Sequence, residues 1–362
     1  MPEPVERSWI VRLPKAEVHL HLEGCVDPHL VSAAAQRLGV PPFGGLEPAG
    51  PGDVGPGDVG SADVGADDHA LAGRITNLPQ LLSYLDWSCP LIDRADDLAA
   101  IAYGTARRAS SVGVRHVDVI VNPTHWTHWQ GRLDAMVGAL DDGFRSAETD
   151  GYATAVLCFS VKRNQTEAEA LALVDWMLDR HHHRVAALSI DGDETSGSHN
   201  ERFAEAFARA ARGGLRRCAH AGESSGPDGV REAIDLLGAE RIDHGVWAIE
   251  DPSLVTELAR RSIPLDICPT SNAVLGIVPD VAQHPVDHLR RQGVRVSLNT
   301  DDPLLYGIDV AGEYALCAET FGWGRPELVA IARTSIESCF AEEGRRSHLL
   351  RELDAFVDAH GG

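Results

Sequence analysis

Histidine and carboxylate side chains recur where short apolar stretches end, and their types are those that hold a divalent metal ion. His19 and His21 lie two residues apart in EVHLHL, so on a β-strand both imidazoles face the same way. His220 and Glu223 lie in HAGE, His244 lies in RIDHG, and Asp301 and Asp302 lie in NTDDP. Three neutral imidazoles and one carboxylate drawn from these residues would suit Zn²⁺ with a position left open for water. The same ligand types also permit Fe²⁺ or Co²⁺.

The elements that must position these residues are eight short stretches rich in Val, Ile and Leu. We predict strands at 17–22, 114–121, 154–160, 184–191, 215–222, 241–246, 264–271 and 294–301. Helical patterns lie between them, and strands alternating with helices predict parallel βαβ units. Eight such units predict an α/β fold with a (β/α)8 TIM-type barrel. A doubly wound sheet is the alternative, although no strand is followed by GxGxxG.

A barrel of this type would bring the polar residues together. The C-terminal ends of all eight strands surround one mouth, where active sites lie. We therefore expect a cluster there of His19, His21, His220, Glu223, His244, Asp301 and Asp302.

The rest of the chain predicts additions to a single domain covering residues 1–362. Extra helices are expected between residues 70 and 108, after strand one, and a helical tail is expected from residue 312. The segment 44–69 contains PGDVG twice and is rich in Gly, Pro and Asp, which predicts a surface loop. This loop is either a neutral insertion or a lid over a pocket.

Composition and charge limit the partners. The chain has 362 residues and a formal net charge of −22, which disfavours binding to nucleic acid or to an anionic membrane. Seven cysteines without a CxxC pair indicate a reducing compartment. No apolar run approaches the ~18 residues that span a bilayer, and the N-terminus has no signal-peptide pattern. We expect a cytoplasmic protein with a small-molecule partner and make no prediction of its oligomeric state.

The sequences KAEVHLHLEG, HAGE, RIDHG, CPTSN and SLNTDDP occur in this order between residues 13 and 303. Together they resemble the adenosine deaminase family of the amidohydrolase superfamily. The resemblance implies the (β/α)8 fold and a hydrolase that releases ammonia from C6 of a 6-aminopurine. It also implies one Zn²⁺ ion per subunit, held by His19, His21, His220 and Asp301.

The resemblance implies a role for each remaining side chain. Glu223 matches the protonated acid that donates to purine N1, which requires a neutral carboxyl in a dry site. His244 would orient the attacking nucleophile and stabilise charge, and Asp301 would accept the proton of water. Asp302 would hydrogen-bond N7, and the backbone N–H of Gly192 would meet N3.

The sequence features that bear on the choice of substrate give conflicting indications. Adenosine deaminases usually have an aspartate after HxHL, near the ribose 5′-hydroxyl, whereas this chain has Glu23 in HLEG. HLEG resembles the adenine and aminodeoxyfutalosine deaminases, but Thr300 before the paired aspartates resembles adenosine enzymes. Adenosine or 2′-deoxyadenosine is the main prediction, and adenine or aminodeoxyfutalosine is the alternative. A catalytically silent nucleoside-binding relative is a remote third possibility.

Other side chains near the predicted mouth have simpler interpretations. We interpret His125 and Trp126 in NPTHWTHW as packing residues, with an aromatic wall over a purine as the alternative. Arg163, after strand three, is expected to form a surface ion pair.

Overall fold

A computed structural model describes residues 5–45, 75–195 and 200–361. Eight parallel strands follow one another around a single sheet in sequence order. They are β1 (Lys15–His21), β2 (Val114–Val121), β3 (Thr154–Lys162), β4 (Val185–Asp191), β5 (Arg216–Ala221), β6 (Arg241–His244), β7 (Leu265–Ile267) and β8 (Val296–Leu298). The predicted (β/α)8 barrel is confirmed, because every predicted stretch overlaps one of these eight parallel strands.

Helices connect the strands and cover the outside of the barrel. In the described residues they are α1 (Arg7–Arg12), α2 (Pro28–Leu38), α3 (Leu78–Ser88), α4 (Ala95–Ser111), α5 (Leu133–Thr149), α6 (Glu167–Arg180), α7 (Ala204–Arg212), α8 (Pro227–Asp235), α9 (Pro252–Arg261), α10 (Pro269–Val274), α11 (Val286–Arg291), α12 (Pro303–Tyr306), α13 (Val310–Phe321), α14 (Arg325–Ser338) and α15 (Glu343–His360). Three of them, α2 to α4, lie between β1 and β2, and two of these, α3 and α4, occupy the region where the inserted helices were expected. The last three form the helical tail.

The seam between β1 and β8 closes largely through side chains. One backbone bridge joins Leu20 to Asp301. Deeper in the barrel, the N–H groups of Val18 and His19 both donate to the Asn299 side chain, at 2.8 and 3.2 Å. Helix α14 packs against β1 and β8 and covers this seam from outside. Ser335 of α14 accepts a hydrogen bond from the backbone N–H of Ala16 at 3.1 Å.

A bulge in β1 sets the direction of the histidines. Glu17 pairs with Val117 and Leu20 with Val119, so three residues of β1 advance against two of β2. Such a bulge bends the strand and re-aims its side chains, and bulges are common beside active sites. His19 lies within this bulge and His21 lies beyond it, and both face the mouth of the barrel.

Several predicted strand boundaries differ from the structure. The strand expected at 264–271 ends at Ile267, because Pro269 begins helix α10 and proline is favoured at the first helical turn. The segment 44–69 lies outside the described residues from residue 46 onward, so the loop interpretation stays a prediction, as does the single-domain assignment. No helix in the described ranges is long and apolar enough to cross a membrane.

Candidate active site

Four of the predicted metal ligands converge at the mouth of the barrel. His220 Nε2 lies 3.2 Å from His19 Nε2 and 3.0 Å from His21 Nε2. Asp301 Oδ1 lies 3.3 Å from the same nitrogen of each of these two histidines. All four side chains are largely buried, although His21 keeps 12% of its side chain exposed. The four atoms therefore surround one point.

The spacing of these atoms fits a metal ion. Ligand atoms about 2.0–2.1 Å from Zn²⁺ in a tetrahedron lie roughly 3.3–3.4 Å from one another, close to the distances found here. The ligand atoms of His19, His220, His244 and Asp301 also lie within 4.8 Å of each other. Of the two Asp301 oxygens, however, His244 lies closer to Oδ2, which is 3.9 Å from His244 Nε2. The geometry therefore favours His21 over His244 as the fourth ligand.

The ring nitrogens that point away from this centre meet oriented acceptors. His19 Nδ1 lies 3.1 Å from the backbone oxygen of Asp266. His220 Nδ1 lies 3.4 Å from a carboxylate oxygen of Asp243. Ligating histidines usually make such contacts, which fix the ring and leave Nε2 free for the metal.

Two of the candidate catalytic residues have unusual backbone conformations. His244 and Asp301 have φ values of 67° and 66°, in the left-handed region that non-glycine residues rarely adopt. His244 is the last residue of β6 and Asp301 follows β8, and at each position the turn carries the side chain into the mouth. Strain of this kind costs about 1–3 kcal/mol and clusters at functional sites, where the surrounding structure holds it.

Glu223 lies opposite the metal-ligand cluster and is almost fully buried. Its Oε1 is 3.4 Å from His244 Nε2. Burial, together with the carboxylates of Asp301 and Glu194, raises the pKa of Glu223 well above its ordinary value. The site therefore favours the neutral carboxyl that a proton donor needs.

Sequence reasoning missed the residue that holds the Glu223 loop. The carboxylate of Glu194 accepts hydrogen bonds from the backbone N–H groups of Gly222, Glu223 and Ser224, at 2.8, 2.8 and 2.9 Å. The hydroxyl of Ser225 donates to the same carboxylate. The motif IDGDE was noted for Gly192, but nothing in the sequence indicates that its last acid reaches a loop some thirty residues later.

The prediction for Arg163 is wrong. This side chain is buried and donates to the backbone oxygen of His220 at 2.5 Å and to Asn200 at 2.6 Å. It lies beneath the metal-ligand strand instead of on the surface, because the residues after β3 turn inward toward β5. Its charge is balanced by nearby carboxylates, Glu194 above all.

A pocket opens above the cluster, and His21, His220, Glu223, His244 and Asp301 all line it. Its apolar wall comes from α3, whose pocket-lining leucines recur with helical spacing on one face: Leu78, Leu81, Leu82 and Leu85. The i, i+3, i+4, i+7 spacing of the leucines in LPQLLSYL predicts a helix with one apolar face. The sequence alone does not say which side of the barrel that face covers.

Glu23 lines this pocket and is held from behind. Its Oε1 accepts from the backbone N–H of Asn122 at 2.8 Å and from Trp126 Nε1 at 2.7 Å. Its Oε2 is buried without a hydrogen-bond partner. Burial raises the pKa of Glu23 to about 7. Trp126 is fully buried, so it packs behind the pocket and does not form an aromatic wall, whereas its neighbour His125 does line the pocket.

Asp302 and Gly192 also line the pocket, as the resemblance implied. Asp302 Oδ1 is buried without a partner, and burial with the charges of Asp301 and Glu23 raises the pKa of Asp302. Gly192 has a φ of 89°, which favours glycine. Gly24 lies against Asp302 so closely that a Cβ built on it would sit 2.1 Å from Asp302 Oδ1.

Thr300 does not face this pocket. Its hydroxyl donates to Glu17 Oε1 at 2.5 Å, and its backbone N–H donates to the same oxygen at 3.2 Å. A serine hydroxyl could make the same bond. The resemblance of Thr300 to adenosine enzymes therefore says nothing about the substrate.

Similarity to known proteins extends over nearly the whole chain. The family described as "Adenosine deaminase" matches residues 63–356. An adenine deaminase from Rhodopseudomonas palustris (strain BisB18) is 31% identical over 355 residues, which cover 98% of this chain and 97% of that protein. The crystal structure of an adenine deaminase from Arthrobacter aurescens has a TM-score of 0.82 and 30% identity, covering 95% of this chain and 99% of that one.

A further solved structure bears on the metal. An amidohydrolase from Burkholderia ambifaria, crystallised with bound Zn, is 29% identical with a TM-score of 0.82, covering 99% of this chain and 96% of that one. The two relatives above carry the name of the alternative substrate, adenine, and adenosine is not confirmed. The extent of the family match and the identity of these relatives decide the classification: the chain belongs to the adenosine deaminase family and is a hydrolase that acts on C–N bonds.

Proposed function

We propose that this chain hydrolyses adenine to hypoxanthine and ammonia, with one Zn²⁺ ion per subunit. The observation that carries the choice of adenine is the buried carboxyl of Glu23, whose Oε2 has no partner in the pocket wall. The similarity to adenine deaminases over almost the full length of the chain supports the same choice.

The metal would be held by Nε2 of His19, His21 and His220 and by Oδ1 of Asp301. A bound Zn²⁺ ion would supply a water molecule of lowered pKa as the nucleophile. Asp301 Oδ2 is turned away from the three histidines and accepts from Ser271 at 2.7 Å. This second oxygen is available to take a proton from the attacking water.

The purine would be oriented by groups on three sides of the pocket. Purine N1 is an acceptor, and the neutral carboxyl of Glu223 donates a proton to it as C6 becomes tetrahedral. Purine N7 is also an acceptor, which matches a protonated Asp302 with its unpaired oxygen. The backbone N–H of Gly192 faces N3. The leucines of α3 cover the ring and exclude water, which strengthens each of these hydrogen bonds.

Glu23 distinguishes the free base from a nucleoside. With C6 at the metal and N7 at Asp302, N9 lies on the Asp302 side of the ring. Glu23 precedes Gly24, which lies against Asp302, so its carboxyl lines the same side of the pocket. Only the free base has an N–H group there to satisfy Oε2. A nucleoside places a sugar carbon at N9, and the buried acceptor then stays unpaired, which costs about 1–3 kcal/mol.

A substrate panel tests this proposal. Ammonia release by the zinc-loaded protein is followed with adenine, adenosine, 2′-deoxyadenosine, 5′-methylthioadenosine and aminodeoxyfutalosine. We expect kcat/KM for adenine to exceed each of the others by at least about tenfold, or ~1.4 kcal/mol of transition-state preference. A nucleoside that leads the panel would contradict adenine as the substrate, and no ammonia from any compound would contradict the reaction.

Two variants locate the cause of the preference. Glu23→Gln keeps the Oε1 acceptor for Asn122 and Trp126 but replaces the unpaired oxygen with an NH2 group. We expect kcat/KM for adenine to fall at least about tenfold while that for adenosine is unchanged or rises. Thr300→Ser is the matched control, because its hydroxyl faces Glu17, and the substrate ranking should not change. Equal losses for both substrates in Glu23→Gln would remove the argument from N9.

A further inference from the structure

A continuous row of hydrogen bonds leads from the backbone of α11 to His244. Val286 N–H donates to His284 Nδ1 at 3.1 Å. His284 Nε2 lies 3.2 Å from Asn272 Oδ1, and Asn272 Nδ2 lies 3.1 Å from His244 Nδ1. All three side chains are buried. The far nitrogen of His244 faces the site, 3.4 Å from Glu223 Oε1.

The first donor fixes the direction of every bond in this row. A backbone N–H can only donate, so His284 Nδ1 accepts and the ring proton lies on Nε2. That proton is donated to the carbonyl oxygen of Asn272, and this turns the NH2 group of Asn272 toward His244. His244 Nδ1 must then accept, and its own proton lies on Nε2. Burial lowers the pKa of His284 to about 4, so the starting imidazole is neutral at physiological pH.

We propose that Asn272 and His284 are positioning residues that hold His244 in the tautomer with its proton on Nε2. His244 then donates a hydrogen bond into the site and cannot accept a proton there, so Asp301 is the group that accepts the proton of water. Asn272 belongs to α10 and His284 precedes α11, so the segment between β7 and β8 controls a residue of β6. The catalytic part of this inference rests on the proposed function, whereas the tautomer does not.

Nuclear magnetic resonance measures the tautomer directly. The zinc-loaded protein is labelled with ¹⁵N-histidine, and long-range ¹H–¹⁵N spectra distinguish a protonated ring nitrogen from an unprotonated one. His244→Gln assigns the His244 signals by their loss. We expect Nδ1 of His244 to be unprotonated and Nε2 to carry the proton. The reverse pattern in the wild-type protein would overturn the proposal whatever reaction the enzyme catalyses.

Asn272→Asp reverses the direction of the hydrogen bond between residue 272 and His244 with little change in the shape of the side chain. A carboxylate still accepts from His284, but it also accepts from His244, which moves the ring proton to Nδ1. We expect kcat with the best substrate of the panel to fall at least about a hundredfold, since a wrong tautomer costs up to ~10⁴-fold in Ser-His-Asp triads. KM should change less than about threefold, and zinc content should be unchanged.

Two substitutions of His284 distinguish a positioning role of this side chain from a packing role. His284→Gln keeps an N–H donor that can reach Asn272, so kcat should stay within about threefold of the wild type. His284→Leu keeps the bulk but releases the Asn272 amide, so kcat should fall at least about tenfold and the His244 signals should show a mixture of tautomers. Normal kcat in both Asn272→Asp and His284→Leu, or equal loss in both His284 variants, would overturn the positioning role.

Discussion

At the scale of single residues, the role of each carboxyl group in the site depends on which of its acceptor positions already has a hydrogen-bond partner. Oδ1 of Asp301 lies with the histidines, whereas its Oδ2 is held by Ser271. Oε1 of Glu23 is bound by Trp126, whereas its Oε2 is unpaired. These hydrogen-bond donors fix each carboxyl, and the acceptor capacity that is left over is available for chemistry: the second lone pair of Oδ2 in Asp301 and the unpaired Oε2 in Glu23. This division explains how acids of similar type take different roles within one pocket.

Glu223 is the proposed proton donor, and replacing it with Gln tests that role. Glutamine keeps the size of the side chain but cannot give up a proton, so we expect Glu223→Gln to reduce kcat at least about a hundredfold with zinc still bound. Because its pKa is raised, Glu223 stays protonated above the usual range of a carboxyl, and kcat/KM of the wild type should fall as pH rises through that pKa. This alkaline loss should be absent from the residual activity of the variant.

The exposed Glu201 supplies the matched control for this experiment. Glu201→Gln makes the same chemical change on the surface, and its kcat and pH profile should match the wild type. A rate for Glu223→Gln within about threefold of the wild type would contradict the assigned role.

At the scale of elements, the site depends on close packing between the turn after β1 and the start of α12. The backbone of Gly24 fills the space beside Asp302, and a Cβ there would lie 2.4 Å from the Asp302 Cα. No side chain fits without moving the backbone of one element. Gly24 of HLEG is therefore required because the turn after β1 and the start of α12 lie in contact. Along the chain, these two segments are separated by almost all the strands of the barrel.

Gly24→Ala should displace Asp302 and Glu23 together. We expect a loss of activity of at least about tenfold and a free energy of unfolding lower by about 1–3 kcal/mol, as for other overpacked sites. Gly138→Ala is the control, because Gly138 lies inside α5 and a Cβ there meets nothing within 4 Å. Alanine favours a helix, so this variant should be as stable as the wild type or slightly more stable. Activity in Gly24→Ala equal to that of Gly138→Ala would contradict the packing argument.

At the scale of the whole molecule, a buried arginine joins the barrel to the helical tail. Arg241 begins β6 and is almost fully buried. It donates to the backbone oxygen of Val18 at 2.7 Å and lies 2.8 Å from Asp266, in addition to its ion pair with Asp118. Its guanidinium also lies 3.9 Å from the ring centre of Phe340, beyond α14. One side chain thus links three other strands and the C-terminal segment at the end opposite the site.

Arg241→Met should destabilise the fold. Removing one member of a buried ion pair leaves an uncompensated charge, which costs about 3–5 kcal/mol of the free energy of unfolding, measured by urea titration. Arg333→Met, which removes a surface pair with Asp354, should cost no more than about 1 kcal/mol. Equal stability of the two variants would contradict the structural role of Arg241.

The sequence by itself determined the eight strands, their order and the identity of the four candidate metal ligands. These features are local, because a strand is recognised from a few neighbouring residues and an HxH pair already places two imidazoles on one face. The convergence at one mouth followed from the barrel, since all parallel strands end on the same side.

Only the tertiary structure decided which groups support and surround those ligands. Glu194 reaches the Glu223 loop, His284 reaches His244 through Asn272, and Thr300 turns to Glu17 instead of the pocket. Each depends on contacts between segments far apart in the chain, and in β1 on a bulge that no short pattern specifies. Hydrogen-bond direction and burial exist only once those segments pack together, which is why the motifs alone did not identify these contacts.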